Sequence, residues 1–188
     1  MKPQFDNQVM SSFLLWFDNR LLTKGEAFQN VTGEFFGVSD DYFGYNTYAS
    51  SYSQIVSDAS ISGANIPTGL YVENTLANVG QGGSTGLYAI DYANGRSYWS
   101  GAQNGTVSGS FAIKDFNVFL TSRTEDEILF QTQYTNRNKI SSVVPTGLEQ
   151  DTKTYPVVYI KPDGSSNEPI AFGGQDNTII NVRAIVIA

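Results

Sequence analysis

The sequence contains no histidine and no cysteine. Without histidine there is no imidazole ligand for zinc, no Ser-His-Asp triad and no histidine general base. Without cysteine there is no disulfide, no thiol nucleophile and no thiolate-bound metal, and the lack fits assembly in a reducing compartment. Charge is scarce as well, at 15% of residues against a usual ~25%. What charge there is runs negative, to a net −7, and the 11 basic residues are scattered. Such a chain is not drawn to nucleic-acid phosphates, so no sequence-specific nucleic-acid partner is expected. No stretch nears the ~20 apolar residues of a membrane-spanning helix. Residues 13–17 are the longest apolar run near the start, Asp6 precedes it and no small-residue cleavage site follows cleanly, so no secretory signal is expected. The sequons at Asn30 and Asn104 then have no route to glycosylation.

Aromatics are plentiful: 12 Phe, 11 Tyr and 2 Trp in 188 residues. That length suffices for a single β-rich domain over 1–188. One stretch, 8–22, repeats its apolar residues at helical spacing: Val9, Phe13, Phe17 and Leu21, with Met10 and Leu14 beside them. Asp6 is placed to cap its start. Lys24 and Gly25 stand where a helix end favours a cation and a residue free to take positive φ. A helix with so broad an apolar face must lie on something, and it reads as an appendage to a β-rich body.

The remainder reads as short strands. Residues 27–38 suggest a strand, a bulge at Gly33 and a second strand. Residues 40–52, with Tyr42, Phe43, Tyr45, Tyr48 and Tyr52, read as a loop with short extended pieces, and 52–58 as a further strand. Residues 69–73 form a strand, and 74–86 a turn-rich link. Residues 87–92 and 96–99 form a hairpin about Asn94-Gly95. Strands follow at 107–113, 116–120 and 128–134, the last by alternation of Ile128, Phe130, Thr132 and Tyr134. Val143-Val144-Pro145 suggests an edge strand or loop start, 155–160 is a strand, Pro162-Asp163-Gly164 is a turn, and 170–172 is short. The closing strand, 179–188, carries Ile180, Val182, Ala184, Val186 and Ala188 on one face. Its other face ends in Ile185 and Ile187, so it is expected to be central in a sheet or to meet another chain. Many short strands between turn signals favour an antiparallel β-sandwich or partly open barrel with one N-terminal α-helix over a parallel α/β sheet.

Little here is equipped for catalysis. Gly80, Gly82, Gly83 and Gly86 lack the spacing of a dinucleotide fingerprint, and no Gly-Lys-Ser follows. Asp40-Asp41 and Glu125-Asp126-Glu127 are acidic clusters, but adjacent strand residues point to opposite faces and make a poor catalytic pair. Asp151, Asp163 and Asp176 supply oxygen ligands without calcium-loop spacing. The expectation is no catalytic residue, no metal and no cofactor. The aromatics of 42–52 suit core filling, an interface, or a sugar-stacking platform.

Several stretches resemble virion structural proteins of tailed bacteriophages. They are SSFLLWFDNRLLTKGEAFQN (11–30), YASSYSQIVSDASISGANIPTGLYV (48–72), GLYAIDYANGRSYW (86–99), SGSFAIKDFNVFLT (108–121) and EPIAFGGQDNTIINVRAIVIA (168–188). The resemblance implies a neck or head-to-tail connector protein: a homo-oligomeric ring among other virion structural proteins, assembled in the host cytoplasm, with no membrane partner. It carries no catalytic residues to transfer. The residues expected at subunit contacts are Phe13, Trp16 and Phe17, Tyr42, Tyr45 and Tyr48, and Ile185 and Ile187. The alternative is a carbohydrate-binding β-sandwich of a fibre or cell surface, stacking sugars on Tyr98 and Trp99.

Overall fold

The apolar spacing at the N-terminus does produce a helix. In a computed structural model that describes residues 3–81, 83, 86–131, 133–136, 152–169 and 176–188, α1 spans Pro3–Gly25. It starts earlier than the spacing indicated, at a proline whose fixed φ suits a first helical turn. Asp6 therefore lies inside the helix and not at its N-cap position. At the other end Lys24 occupies the last turn. The residue that takes positive φ is Glu26, at 48°, not Gly25.

The strands in chain order are β1 (Phe28–Tyr42), β2 (Tyr45–Ser50), β3 (Gly69–Val72), β4 (Thr75–Asn78), β5 (Leu87–Asp91), β6 (Arg96–Trp99), β7 (Val107–Lys114) and β8 (Asn117–Leu120). A short helix, α2 (Glu125–Phe130), comes next. It is followed by β9 (Gln133–Asn136), β10 (Thr152–Tyr155), β11 (Val157–Pro169) and β12 (Asp176–Ile187). Seven strands make one sheet in the order β4-β3-β7-β1-β2-β6-β5, antiparallel at every pairing. It curls into a nearly closed barrel. Near the seam, the Gly80 N–H just after β4 donates to the Leu87 carbonyl at the start of β5, at 2.9 Å. The mainly-β expectation with an N-terminal helix holds. Two pairings depart from antiparallel: β8 with β11, and β9 with β10.

The barrel is filled by Phe35, Ile55, Leu70, Leu87, Ile90, Trp99, Val107, Phe111 and Ile113. Glycine makes the fit possible at Gly109, where an added Cβ would sit 2.6 Å from Leu70 Cδ2. Outside the barrel wall, Leu22 of α1 packs with Val56, Ile61 and Ala112. Farther back along α1, Met10, Phe13, Leu14 and Phe17 cover Val158 and Ile160 of β11, with Val118, Ile180 and Val182. The helix therefore joins the barrel to a three-stranded sheet ordered β12-β11-β8. Asp18 pins it to the barrel through Lys114 at 2.7 Å. On the opposite face of that sheet, Ile128 of α2 packs on Val157 and Tyr159, beside Ile185 and Ile187.

Several local expectations need correction. Residues 28–38 belong to one continuous strand in register through Gly33↔Gly109, and the irregularity falls later, between Val38 and Tyr42. Residues 40–50 are not a loop; they complete β1 and supply β2 around a two-residue turn, Phe43-Gly44. Of 52–58 only Tyr52 and Ile55 make isolated bridges, Ile55 with Ile113. The link 74–86 contains β4. Residues 125–130 are helical because Thr124 and Glu127 form a capping box: the Thr124 hydroxyl accepts from the Glu127 N–H and the Glu127 carboxylate accepts from the Thr124 N–H. Pro162-Asp163-Gly164 is not a turn between elements; it lies within β11, where the register with β12 shifts between Pro162 and Ser165. Among the described residues the closing strand is an edge of its sheet and not its centre. The segments 143–145 and 170–172, and Asp151, lie outside the described residues, as do the side chains of Asp40, Asp41 and Asp176.

Candidate assembly surfaces

Three places gather the residues singled out above. The first is the outer flank of α1. Phe13 and Phe17 turn toward the three-stranded sheet and stack at 6.1 Å. Trp16 stands at 53% exposure beside Leu15 at 66%. The Arg20 guanidinium sits 5.9 Å from the Trp16 ring centre, a cation over a π face. One helix thus has an apolar face that is covered and a second apolar strip that is not.

The second is the tip of the β1–β2 hairpin. A two-residue hairpin turn of type I′ needs positive φ at both central residues, which favours Asn-Gly. Here Phe43 takes φ 51° and Gly44 takes φ 82°. A bulky side chain in the left-handed region is strained. Phe43 is also 87% exposed. Tyr42 supports it edge-on at 4.8 Å and is itself stacked on Tyr98 at 4.3 Å. Tyr45 stacks on Tyr88 of β5 at 4.2 Å. These five rings form a patch across β1, β2, β5 and β6. Burial, then the neighbouring Asp91 charge, pushes the Tyr98 hydroxyl above its usual range, so this ring stays neutral. Tyr48 does not join the patch. It packs on the barrel core, edge-on to Trp99, and its hydroxyl accepts from the Gln103 N–H at 2.7 Å.

The third is the three-stranded sheet. Ile185 and Ile187 are half-buried against α2. Arg183, next along β12, is held by Glu125 at 2.7 Å and Asp163 at 2.8 Å. Those two carboxylates raise the guanidinium further above its ordinary value.

Two of the acidic groups considered for chemistry are thus engaged structurally: Glu125 and Asp163 on Arg183. Glu127 is a third. Hydrogen bonds from the Thr124 N–H and hydroxyl hold its carboxyl below the ordinary carboxylate range. Among the described residues no group of three or more Asp or Glu is arranged to hold a metal. Nor does any described helix have the length and apolarity to cross a membrane. The rings proposed for sugar stacking are covered: Trp99 is fully buried, with its indole N–H on Ser97 Oγ at 3.0 Å, and Tyr98 lies beneath Tyr42. Sequence reasoning did not single out Phe43 for this patch, because Phe-Gly is not one of the pairs that mark a two-residue hairpin turn. It missed Tyr88 because alternation alone does not reveal the register shift between Leu87 and Ala89. Comparison with family models, curated proteins and solved structures returned no match.

Proposed function

We propose that this chain is a structural subunit of a tailed-phage particle, built into a homo-oligomeric ring at the neck or head-to-tail junction. The observation that carries this reading is Phe43. A strained backbone holding an apolar ring in water costs stability in an isolated chain, and the cost is offset if the ring docks in a neighbour. The Tyr42, Tyr45, Tyr88 and Tyr98 rings around it supply the rigid contact area that interfaces favour. The exposed Leu15–Trp16 strip on α1 supplies a second contact. The sequence resemblance supplies the setting, and the lack of His and Cys leaves little catalytic equipment.

Light scattering on the purified chain tests the reading, with a discrete multimer expected. Phe43→Asn is the informative variant, because Asn tolerates left-handed φ better than Phe. The β1–β2 hairpin should then be stabilised by about 1 kcal/mol while assembly weakens at least tenfold. A wild-type protein that stays monomeric at high concentration overturns the proposal, and so does assembly indifferent to Phe43→Asn. Specific glycan binding by that monomer would move the reading to a carbohydrate-binding module.

A further inference from the structure

The geometry points to the contact that closes the ring: the outer edge of β12 pairs with the outer edge of β8 in the next copy. This rests on the reading of the chain as a self-assembling subunit. In the order β12-β11-β8, both outer strands are edges, and no strand of the described residues pairs with the far side of either. Open edges are templates for pairing, and proteins that avoid it place charge or proline there. Neither device is present where it would act. β8 reads NVFL, and β12 from Thr178 onward carries a single charge, Arg183, already held by Glu125 and Asp163.

Direction and level both fit. β11 runs parallel to β8 and antiparallel to β12, so β8 is antiparallel to β12. A rotation keeps the sense of strands that run along its axis, so with the sheet set that way a neighbour's β8 arrives antiparallel, the better-bonded pairing. Across the sheet, Leu120, Ile160 and Ala184 share one level, and Val118, Val158 and Val186 share the next. All six lie on the face that α1 covers, as the α1 contacts of Val118, Val158, Ile160 and Val182 establish by alternation. On the central strand Val158 and Ile160 are buried, whereas Leu120 on one edge is 43% exposed and Val186 on the other 59%. Carrying the same levels across the contact sets Leu120 of one copy against Ala184 of the next, and Val118 against Val186. Each exposed side chain then gains the lateral neighbour that its own sheet lacks. The packing of α1 lies mainly over β8 and β11, with Ile180 and Val182 of β12 at its margin. The contact joins two different edges, so it is heterologous and closes into a ring or continues as a filament.

The absence of native cysteine makes the test direct. Leu120 and Ala184 of one copy are two strand spacings apart, about 10 Å, too far for an internal disulfide. Full-length Leu120→Cys/Ala184→Cys protein, oxidised with copper phenanthroline, should give a ladder of covalent multimers on a denaturing gel, and each single variant should run as monomer. Val186→Lys should reduce the multimer at least tenfold at an unchanged unfolding temperature. If the wild type is a multimer but the double variant gives no ladder, this contact falls and the ring reading stands. Covalent dimers from Val182→Cys or Ala184→Cys alone would mean that β12 pairs with itself about a two-fold axis, and would overturn the inference. A wild type that is monomeric throughout overturns both.

Discussion

Gly95 and Gly25 are the same residue under opposite constraints. Gly95 is buried at φ 63°, and an added Cβ would overlap the Tyr52 carbonyl oxygen. Gly25 ends α1 with open space around it and no positive φ. Gly95→Ala should destabilise by more than about 1 kcal/mol, whereas Gly25→Ala should gain up to about 0.5 kcal/mol from better helix propensity. Urea midpoints of the two variants check both signs. The Asn-Gly pair announced the first position. Nothing in the sequence distinguished Gly25 from Glu26, because the left-handed position depends on where the chain must turn into β1. Glu127 is similar. As a residue it reads as one of three adjacent acids, and its bond to Thr124 gives it a role. Its depressed pKa means that the cap is intact above the unfolded carboxylate value, ~4.3, and is lost as pH falls through the lower folded value. An NMR titration of the Thr124 amide should show that midpoint below the ordinary range.

At the scale of elements, α2 shows how local signals compete. Ile128, Phe130, Thr132 and Tyr134 alternate as a strand would. The helix is only six residues long, too short to display a 3.6-residue period. The deciding features are the Thr124–Glu127 capping box and a fully buried Ile128 beneath β11. Thr124→Ala should cost about 1 kcal/mol, seen as a lower unfolding midpoint. The element with the opposite history is α1. Its apolar repeat was plain, but a repeat does not say how many sides are covered. Met10 and Leu22 are buried while Leu15 and Trp16 are exposed. Trp16→Asp should therefore leave the circular dichroism and unfolding temperature of the chain unchanged while blocking assembly, as read by light scattering. Loss of folding in that variant would place Trp16 in the core.

Across the whole molecule, α1 is the joint. Its C-terminal end lies on the barrel wall through Leu22, and its middle lies on β8, β11 and β12 through Met10, Phe13 and Phe17. The ion pair between Asp18 and Lys114, partly shielded at 22% and 21% exposure, fixes where the helix crosses the barrel. Asp18→Asn removes the charge at nearly constant shape. It should weaken helix docking by about 1 kcal/mol, the upper end of the range for exposed pairs, because this one is partly shielded. Amide exchange should quicken along α1 and remain slow in β1 and β7, which pair at eight positions from Phe28↔Lys114 to Phe35↔Val107. A uniform acceleration would mean that helix and barrel unfold as one unit.

The sequence by itself determined the chemistry that is excluded, the mainly-β class, the N-terminal helix and the Asn94-Gly95 hairpin. Each of these follows from composition or from contacts within a few residues. Only the tertiary structure decided that Trp99 is core and Phe43 is surface, that β12 is an edge, and that β8 and β11 run parallel. Those outcomes depend on which strands meet across long separations, and a strand's own residues encode its faces but not its neighbours.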